Sequence, residues 1–380
     1  MRFLHTSDWH LGRIFHGLHL LEDQRAALEQ ILTLAKDYRV DALVVAGDIY
    51  DRAVPPTEAV NLLDETLRRI ILDLKLPVIM IAGNHDNPDR LNFGQALFAS
   101  QKLYITGPVS TDTKPIVLTD DEGPVYFAPL TYCEPLTATE LSGEKKATHE
   151  AALLWQIACM NKQIPEGARK VAIAHAFVTG ALTTPDSERP LAAGGTTTVG
   201  LSCFDGFNYT ALGHLHACQN CSPAVRYCGS LLKYSFAEAS QKKAVHIVDL
   251  AGDGTIRVET VTLSAPHELA VLKGTFEDLL NRPRTEHLDD YLQILLTDST
   301  PVLDAKHRLE QVYPRILQLG YERLQPQENV TTTREARKGL GTEELFGAFF
   351  KEVTGEELDQ AKKDLFCSVL HELDQEGRNA

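Results

Sequence analysis

Polar side chains of metal-ligand type follow five short apolar segments of the sequence, at the point where each segment ends. Carboxylate, amide oxygen and imidazole are the ligands that proteins use for divalent ions such as Mn²⁺, Fe²⁺ and Zn²⁺. Because strand ends in layered α/β folds converge on one edge, we expect these side chains to meet in one place. In chain order they are Asp8, His10, Asp48, Asn84, His175, His214 and His216.

This set of side chains suits the hydrolysis of a phosphoester. Two divalent ions about 3.5–4 Å apart can activate a water for in-line attack on phosphorus and neutralise charge on the phosphoryl oxygens. Asp48 is the natural bridging carboxylate, since the preceding Gly47 allows close backbone approach. Taken alone, Asp8 fits a helix cap equally well, and His175 fits a buried core histidine. Five such segment ends in one chain predict a two-metal site.

The elements that must position these residues alternate in the first half of the chain. Apolar runs predict strands and 3.6-residue periodicity predicts helices, with Thr57 as a helix cap after Pro55 and Pro56. The predicted strands are residues 2–7, 41–46, 78–82, 116–118, 125–127, 171–174, 210–212, 227–229 and 245–250. The predicted helices are residues 21–38, 57–74, 89–100 and 149–161.

The pattern changes after about residue 265. Residues 291–296 predict a strand, and apolar spacing over residues 302–319 predicts a helix that Pro314 kinks or breaks. Residues 326–341 are polar and charged, which is typical of a linker. Two amphipathic helices follow, the first carrying Phe346, Phe349 and Phe350, the second starting at a capping box on Thr354.

Composition limits the class of protein. The chain has 380 residues, 43% hydrophobic and 23% charged, which is typical of a globular protein with a sizeable core. No apolar run is long enough to span a bilayer, and the N-terminus lacks the pattern of a secretory signal, so we expect no membrane contact and a cytoplasmic location. The net charge of −15 argues against a global positive field for nucleic acid, but leaves open a local basic groove, bound cations or a cationic partner.

Seven cysteines are irregularly spaced. Cys218 and Cys221 form a CxxC pair with Cys228 nearby, but a zinc ribbon needs a second pair at suitable spacing. Free, reduced thiols are therefore the favoured interpretation.

The ordered motifs D-x-H, G-D-x-x-D, G-N-H-D, H and G-H-x-H together resemble the calcineurin-like metallophosphoesterase superfamily. The resemblance implies an α/β fold, a four-layer α/β/β/α sandwich of two mixed sheets. It also implies two ligand sets that share one carboxylate. These are Asp8, His10, Asp48 and His216 for one metal, and Asp48, Asn84, His175 and His214 for the other.

The resemblance leaves His85 outside both ligand sets. It implies that His85 contacts the scissile phosphate and assists the leaving group, with Asp86 orienting it.

Longer stretches of residues 1 to about 250 resemble a narrower family, the nuclease subunits of the bacterial SbcCD complex. These stretches are MRFLHTSDWHLG, VDALVVAGDIYDRAVPP, IAGNHDN, SERPLAAGGTTTVG, NYTALGHLH and RYCGSLLKYSF. The resemblance implies a nuclease, usually Mn²⁺-dependent, that works with the SbcC ATPase on double-stranded and hairpin DNA. It implies 3′→5′ exonuclease and single-strand endonuclease activity in DNA end processing, repair, recombination and replication.

The same resemblance implies a division of the chain. Residues 1–265 would form the nuclease domain, residues 266–325 a small α+β capping domain, residues 326–341 a linker, and residues 342–380 helices that bind SbcC. The phenylalanine stripe of the first terminal helix fits such a helix-in-groove site, and fits packing within its own domain equally well. A homodimer within a heterotetramer is also implied, with helices 57–74 and 89–100 as candidate contacts.

Several basic residues are candidates for contact with phosphate. Arg13 and His16 follow the D-x-H motif and could contact the DNA backbone. Lys233, Lys242 and Lys243 could do the same, or could simply be solvated.

One position departs from part of the family. Some relatives carry a second histidine where this chain has Asp51. The pair Asp51-Arg52 also resembles the GDxxDR motif of serine/threonine phosphatases, so Arg52 is either a phosphate contact or a surface residue.

Two other functions stay open. A stand-alone phosphatase or small-substrate phosphodiesterase would have no use for about the last 110 residues. A non-catalytic scaffold would have lost ligands, whereas every expected ligand type is present.

Overall fold

The computed structural model describes residues 1–185, 197–322, 341–354 and 357–376. It divides into two units, Met1–Leu269 and Ala270–Ala380. The four-part division predicted from the sequence stays a prediction. Its linker, residues 326–341, lies outside the described residues except for Gly341.

The strands of the first unit are short and mostly apolar. In chain order they are β1 (Arg2–Thr6), β2 (Ile14–Phe15), β3 (Leu18–His19), β4 (Ala42–Val45), β5 (Val78–Ile81), β6 (Leu103–Thr106), β7 (Ile116–Asp120), β8 (Gly123–Leu130), β9 (Arg169–His175), β10 (Phe177–Val178), β11 (Thr198–Val199), β12 (Tyr209–Gly213), β13 (Gln219–Asn220), β14 (Val225–Tyr227), β15 (Ala244–Leu250) and β16 (Ile256–Thr262).

The helices in the described part of the chain are also numbered in chain order. They are α1 (Leu21–Asp37), α2 (Thr57–Arg68), α3 (Pro88–Leu91), α4 (Gln95–Ala99), α5 (Pro135–Ser142), α6 (His149–Asn161), α7 (Phe276–Asn281), α8 (Ala305–Glu310), α9 (Thr342–Thr354) and α10 (Gln360–Glu376).

Two six-stranded mixed sheets organise the first unit. The first has the order β16-β15-β1-β4-β5-β6, and the second has the order β13-β14-β12-β9-β8-β7. Strands β1, β4, β5 and β6 run parallel, with β15 antiparallel to β1. Strands β14, β12, β9 and β8 also run parallel, with β13 and β7 antiparallel at the two edges. This arrangement confirms the predicted α/β fold with two mixed sheets.

One apolar core joins the facing sides of the two sheets. Phe3 and Ile79 of the first sheet and Phe127 of the second belong to it, and the rings of Phe3 and Phe127 meet edge to face with centroids 5.6 Å apart. Strand β9 shows how the layers form, because successive side chains of a strand point to opposite faces. Its Val171 and Ile173 enter the core between the sheets, whereas its alanines belong to a second core with helix α6.

Several predicted boundaries of the first unit need correction. The predicted helix 57–74 is α2 followed by a π-helical turn over Arg69–Asp73. Thr57 is the first helical residue rather than the cap, because Pro56 occupies the cap position and makes no side-chain bond. The predicted helix 89–100 divides into α3 and α4 around Gly94, whose φ of 72° breaks the helical backbone. The strand expected at residues 227–229 ends at Tyr227, because Gly229 adopts a φ of 85°.

Seven strands of the first unit were not predicted: β2, β3, β6, β10, β11, β13 and β16. Strand β16 is a sheet edge with largely exposed, polar residues, so the apolar run that marks a buried strand is absent from it.

The second unit contains a three-stranded sheet with the order β17-β18-β19, where β17 is Leu269–Gly274, β18 is Tyr291–Leu296 and β19 is Ile316–Tyr321. Helices α7 and α8 contribute Leu279 and Leu309 to its core, beside Ile294 of β18. The predicted helix 302–319 is wrong beyond Glu310, where α8 ends. Pro314 lies between α8 and β19, and β19 instead pairs in parallel with β18.

The two C-terminal helices exist, but their boundary differs from the prediction. Thr354 is the last residue of α9, so the capping box expected there is wrong; residues 355–356 lie outside the described part of the chain. Helix α10 begins at Gln360, and the preceding Asp359 carboxylate accepts from the Lys362 N–H at 2.9 Å, which is the bond of an N-cap. Within the described residues, no helix is both long and apolar enough to cross a membrane.

An ion pair ties strand β7 to strand β9 across the intervening β8. The Arg169 guanidinium donates to both Asp120 carboxylate oxygens, at 2.6 and 3.0 Å, with little exposure of either side chain. The Arg169 hydrogen bonds hold the pKa of Asp120 well below its ordinary value.

We predict that Asp120→Asn lowers the free energy of unfolding at pH 7 by about 1.5–3 kcal/mol, the range for a hydrogen bond to a charged group. Because the folded pKa lies below the unfolded one, the pair stabilises fully above about pH 4, and the difference from the wild type shrinks as the pH falls below that value. Urea denaturation at pH 7 and pH 3 measures both effects. The exposed neighbour Asp121→Asn is the control, and equal stabilities at pH 7 would contradict the prediction.

Candidate two-metal site

The carboxyl ends of five strands meet at one place in the first unit. Strands β1, β4 and β5 are neighbours in the first sheet, and the segments after them carry Asp8 and His10, Asp48 and Asn84. Strands β9 and β12 are neighbours in the second sheet, where His175 pairs in register with Gly213, directly before His214. The two facing sheets therefore supply candidate ligands from both sides.

Four residues at this place have a positive φ, a backbone conformation that residues other than glycine rarely adopt. Asp8, His10, Asp48 and His214 have φ values of 50°, 44°, 49° and 108°. Each such residue costs about 1–3 kcal/mol, and the surrounding structure must impose it. Backbone strain in four of the predicted ligands indicates that this region holds its side chains in a particular arrangement at the expense of stability.

Two glycines make the close approach possible. A Cβ on Gly83 would lie 2.1 Å from Asp48 Oδ1, and a Cβ on Gly47 would lie 2.4 Å from His175 Nδ1. Neither contact is sterically allowed, so any larger residue at these positions would displace Asp48 or His175.

The first group of donors comprises Asp8, His10 and His216, whose ligand atoms all lie within 4.8 Å of one another. His10 Nε2 is 3.1 Å from His216 Nε2 and 3.6 Å from Asp48 Oδ2. All four side chains are buried. Backbone and hydroxyl donors hold Asp8, since its oxygens accept from the His214 N–H at 3.0 and 3.1 Å and from Ser7 Oγ at 2.5 Å.

The second group of donors surrounds the amide oxygen of Asn84. Asn84 Oδ1 is 2.9 Å from His175 Nε2 and 2.9 Å from His214 Nδ1. His175 Nε2 is also 3.4 Å from Asp48 Oδ2. The same oxygen of Asp48 thus faces both groups, which is the geometry of a bridging carboxylate.

The electrostatics of the site fit divalent cations. Burial holds the pKa of His10 well below its ordinary value, and burial together with the nearby His175 lowers the pKa of His214 to about 3. Both imidazoles are therefore neutral and keep a lone pair. Burial alone would raise the pKa of Asp48, but His175 holds it well below its ordinary value, so this carboxylate is ionised. Burial acts against a charge on His175, but Asp48 raises the pKa of that imidazole to about 9, so a metal ion bound there would displace a proton.

The chemistry of the donor set points the same way. The Nε2 of His10 faces the first group, whereas its buried Nδ1 lies 3.8 Å from Asp51 Oδ1 and has no hydrogen-bond partner within the described part of the chain. Two carboxylates, one amide oxygen and four imidazoles form a donor set that suits Mn²⁺, Fe²⁺ or Zn²⁺. The residues present therefore fit two metal ions, Asp48 belonging to both sets.

His85 lies outside these two groups, although its ring, His10 and Asp51 also bring their ligand atoms within 4.8 Å of one another. Its backbone N–H donates to Asp48 Oδ1 at 2.9 Å, and its ring Nδ1 is 2.8 Å from the carbonyl oxygen of Asp51. The expected contact of Asp86 with the His85 ring is not what the structure shows. The Asp86 carboxylate instead accepts from the N–H groups of Ile49, Tyr50 and Gly83, because these loop donors have no strand partner.

The predicted phosphate contacts occupy different surroundings. Arg13 Nη1 donates to Asp51 Oδ1 at 2.9 Å, which brings Arg13 next to His10, 3.8 Å from the same oxygen. His16 is exposed on the turn between β2 and β3 and packs against the rings of Phe15 and Phe236. The Arg52 side chain is 51% exposed and lies 4.0 Å from Asp51 Oδ2.

Sequence reasoning missed Glu238 and misjudged Lys243. Glu238 is buried behind His216, with Oε1 3.0 Å from His216 Nδ1. Lys243 is buried and its ammonium contacts Glu238, so the suggestion that it contacts DNA is wrong. Glu238 comes from a short 3-10 turn, Phe236–Glu238, where no periodic pattern marks a buried side chain. The only signal was its position two residues after the family-like stretch RYCGSLLKYSF.

The chain is similar in sequence to known proteins over nearly its full length. The family of calcineurin-like phosphoesterases matches residues 1–218, and the family described as the type 5 capsule protein repressor C-terminal domain matches residues 265–354. The D subunit of the nuclease SbcCD from Staphylococcus epidermidis (strain ATCC 12228 / FDA PCI 1200) is 33% identical over 381 residues, covering 99% of this chain and 100% of that protein. A crystal structure of TT1561 of Thermus thermophilus covers 69% of this chain and 99% of its own, at 16% identity and a TM-score of 0.38.

The fold and the donor set thus define a metal-dependent phosphoesterase. The chain belongs to the calcineurin-like phosphoesterases, and within them to the family of SbcCD D subunits.

We predict that Asp48→Ala loses both metal ions, because each ligand set is deprived of its shared carboxylate. Elemental analysis after loading with Mn²⁺ and dialysis measures the metal content. The exposed Asp64→Ala on helix α2 is the control and should keep the wild-type content. Two retained ions in a folded Asp48→Ala protein would refute the bridging role.

Proposed function

We propose that this chain is the nuclease subunit of an SbcCD-type complex and hydrolyses DNA phosphodiesters with two divalent ions. The observation that carries the proposal is Asp48, whose Oδ2 faces His10 at 3.6 Å and His175 at 3.4 Å. The relative named as the D subunit of a nuclease, which matches over nearly the full length, supports DNA as the substrate.

The seven donors take the metal-binding roles in this proposal. Asp8, His10, Asp48 and His216 would hold one ion, and Asp48, Asn84, His175 and His214 the other. Two bound ions, in our proposal Mn²⁺, would supply the Lewis acidity that activates a water and offsets charge on the phosphoryl oxygens.

His85 would handle the proton of the leaving group. A carbonyl oxygen only accepts, so the contact with the Asp51 carbonyl requires the proton to be on His85 Nδ1. Nε2 is then left for the substrate. In the cationic form it can contact the scissile phosphate and donate a proton to the leaving oxygen. In this proposal Asp86 acts indirectly, by holding the loops that carry Asp48 and His85.

The substrate contacts are proposed from the basic residues around the site. Arg13 is fixed by Asp51 and lies over the ring of Tyr234, 5.8 Å from its centroid, so it is the best-positioned phosphate contact. Arg52 and His16 are exposed and would contact DNA farther along its backbone. The net charge of −15 favours a partner that supplies most of the cationic surface.

The C-terminal helices are proposed to bind the SbcC ATPase. Phe349 and Leu365 are 59% and 65% exposed, and Leu345 and Val369 are also exposed, which suits a helix-in-groove contact. Phe346 does not join this surface as the sequence suggested, because it stacks on Phe366 of α10 with centroids 3.8 Å apart.

We also propose that the chain forms a homodimer within a heterotetramer. The dimer contacts would come from the two segments predicted as helices, residues 57–74 and 89–100. A cavity of about 560 Å³ opens between helix α2 and residues 87–105, with Phe93 81% and Leu97 76% exposed on this segment. Exposed apolar surface of this kind marks an interaction site. The exonuclease and endonuclease specificities, the ATP dependence, the roles in DNA repair, recombination and replication and a cytoplasmic location belong to the same proposal.

The proposal is tested with an end-labelled hairpin DNA and Mn²⁺, with and without SbcC and ATP. We expect cutting that depends on Mn²⁺ and increases with the partner. Hydrolysis of p-nitrophenyl phosphate is measured in parallel. Monoester hydrolysis with intact DNA would favour the second candidate, a stand-alone phosphatase or small-substrate phosphodiesterase, for which the adjoining Asp51 and Arg52 are the supporting feature.

We predict that His85→Ala lowers kcat for hairpin cutting by about 10²–10⁴-fold, the usual contribution of general acid–base catalysis. Its Mn²⁺ content should equal that of the wild type, since His85 is outside both ligand sets. The exposed His307→Ala is the control for loss of a histidine. Near-normal cutting by His85→Ala would remove this residue from the mechanism.

A further inference from the structure

Glu238 is a fully buried carboxylate that lies behind His216 in the first group of donors. Its side chain is 0% exposed, and each of its two oxygens has a partner. Oε1 lies 3.0 Å from His216 Nδ1, and Oε2 contacts the ammonium of Lys243. With both oxygens engaged in this way, Glu238 is a support for a ligand rather than a ligand itself.

Lys243 is held as firmly as Glu238. Its ammonium has four acceptors within hydrogen-bond distance for its three N–H groups: the carbonyl oxygen of His216 at 2.9 Å, Ser230 Oγ at 2.8 Å, Gln241 Oε1 at 2.9 Å and Glu238. A buried ion pair is weak evidence for stability, because apolar residues of equal volume are often as stable. Stability therefore does not explain why this ion pair is buried. Its contacts with both the ring and the backbone of His216 indicate that it holds this residue in place.

The contact decides which nitrogen of His216 can bind a metal. An ionised carboxylate only accepts, so the proton of the neutral imidazole must be on Nδ1. Nε2 then carries the lone pair, and this is the nitrogen that lies 3.1 Å from His10 Nε2 within the first group. A carboxylate behind a metal-binding histidine also raises the basicity of the ring.

The second group lacks this feature at His175. The Nδ1 of His175 is 3.0 Å from the carbonyl oxygen of Ala46, a neutral partner. A histidine of the first group therefore has a carboxylate behind it, whereas His175 of the second group has a neutral carbonyl.

We propose that Glu238, fixed by Lys243, is a positioning residue that sets the Nδ1–H tautomer and the ring orientation of His216 for the first ion. The inference rests on the two-metal site of the proposed function. It assigns to the buried pair a role in the relative affinity of the two ion sites.

The test compares Glu238→Gln with the double variant Glu238→Gln/Lys243→Met, in the full chain. The double variant leaves no uncompensated buried charge, so it stays informative if the single variant folds poorly. Asp23→Asn is the matched control, because Asp23 is also a buried carboxylate and lies 2.8 Å from Nδ1 of a histidine, His267, that is outside both ligand sets.

Three measurements separate positioning from structure. Calorimetric titration with Mn²⁺ gives the affinity of each site, thermal unfolding in chelator gives the stability without metal, and ¹⁵N NMR of labelled histidines gives the tautomer of His216. We expect one site to weaken about 10–100-fold, the range for removing such a partner, while the other keeps its affinity. We also expect the His216 ring to lose its uniform Nδ1–H form in both variants, but not in Asp23→Asn.

Wild-type affinity at both sites and an unchanged tautomer in folded variants would overturn the positioning role. A lower unfolding temperature with unchanged Mn²⁺ affinities would also overturn the positioning role, because the pair would then only stabilise the fold. A wild-type chain that binds no Mn²⁺ would instead refute the two-metal site itself, and with it the inference.

Discussion

The first unit is organised around the buried negative charge of Asp48. A carboxylate with almost no contact with water must be compensated by donors or cations. The His85 N–H and the imidazoles of His10 and His175 surround it, and each comes from a different segment. Because Asp48 is reached from both sheets, its position determines how the strand ends must be arranged.

The two-sheet architecture brings the strand ends together at Asp48, at the cost of local backbone strain. Packing between the sheets, as at Phe3 and Phe127, is the stable part of the structure and sets the distance between the strand ends. The left-handed residues and the crowded glycines lie at the edge of that core. Core burial can sustain strain of a few kcal/mol at this edge, which holds the candidate donors in place without a cation.

The net charge and the exposed apolar side chains bear on how the chain would bind other molecules. The chain has 52 Asp and Glu residues against 37 Lys and Arg, so in the proposed function the affinity for DNA would come from bound cations, a few residues such as Arg13, and a partner. The exposed side chains Phe93 and Phe349 mark surfaces where further chains would bind in the proposed complex.

The sequence by itself predicted the candidate donors, and its resemblance to a known family predicted the two-sheet fold. Asp8, Asp48 and His175 could be predicted because apolar runs of buried strands end in polar residues, a local pattern. The tertiary structure decided what depends on contacts distant in sequence. The helical spacing over residues 302–319 gave no sign that residues 316–321 would pair with β18, since pairing is not encoded in periodicity. The support of His216 by Glu238 and Lys243, and of three loop N–H groups by Asp86, arises only when separate loops are packed together, because a buried charge selects its partners by distance in space.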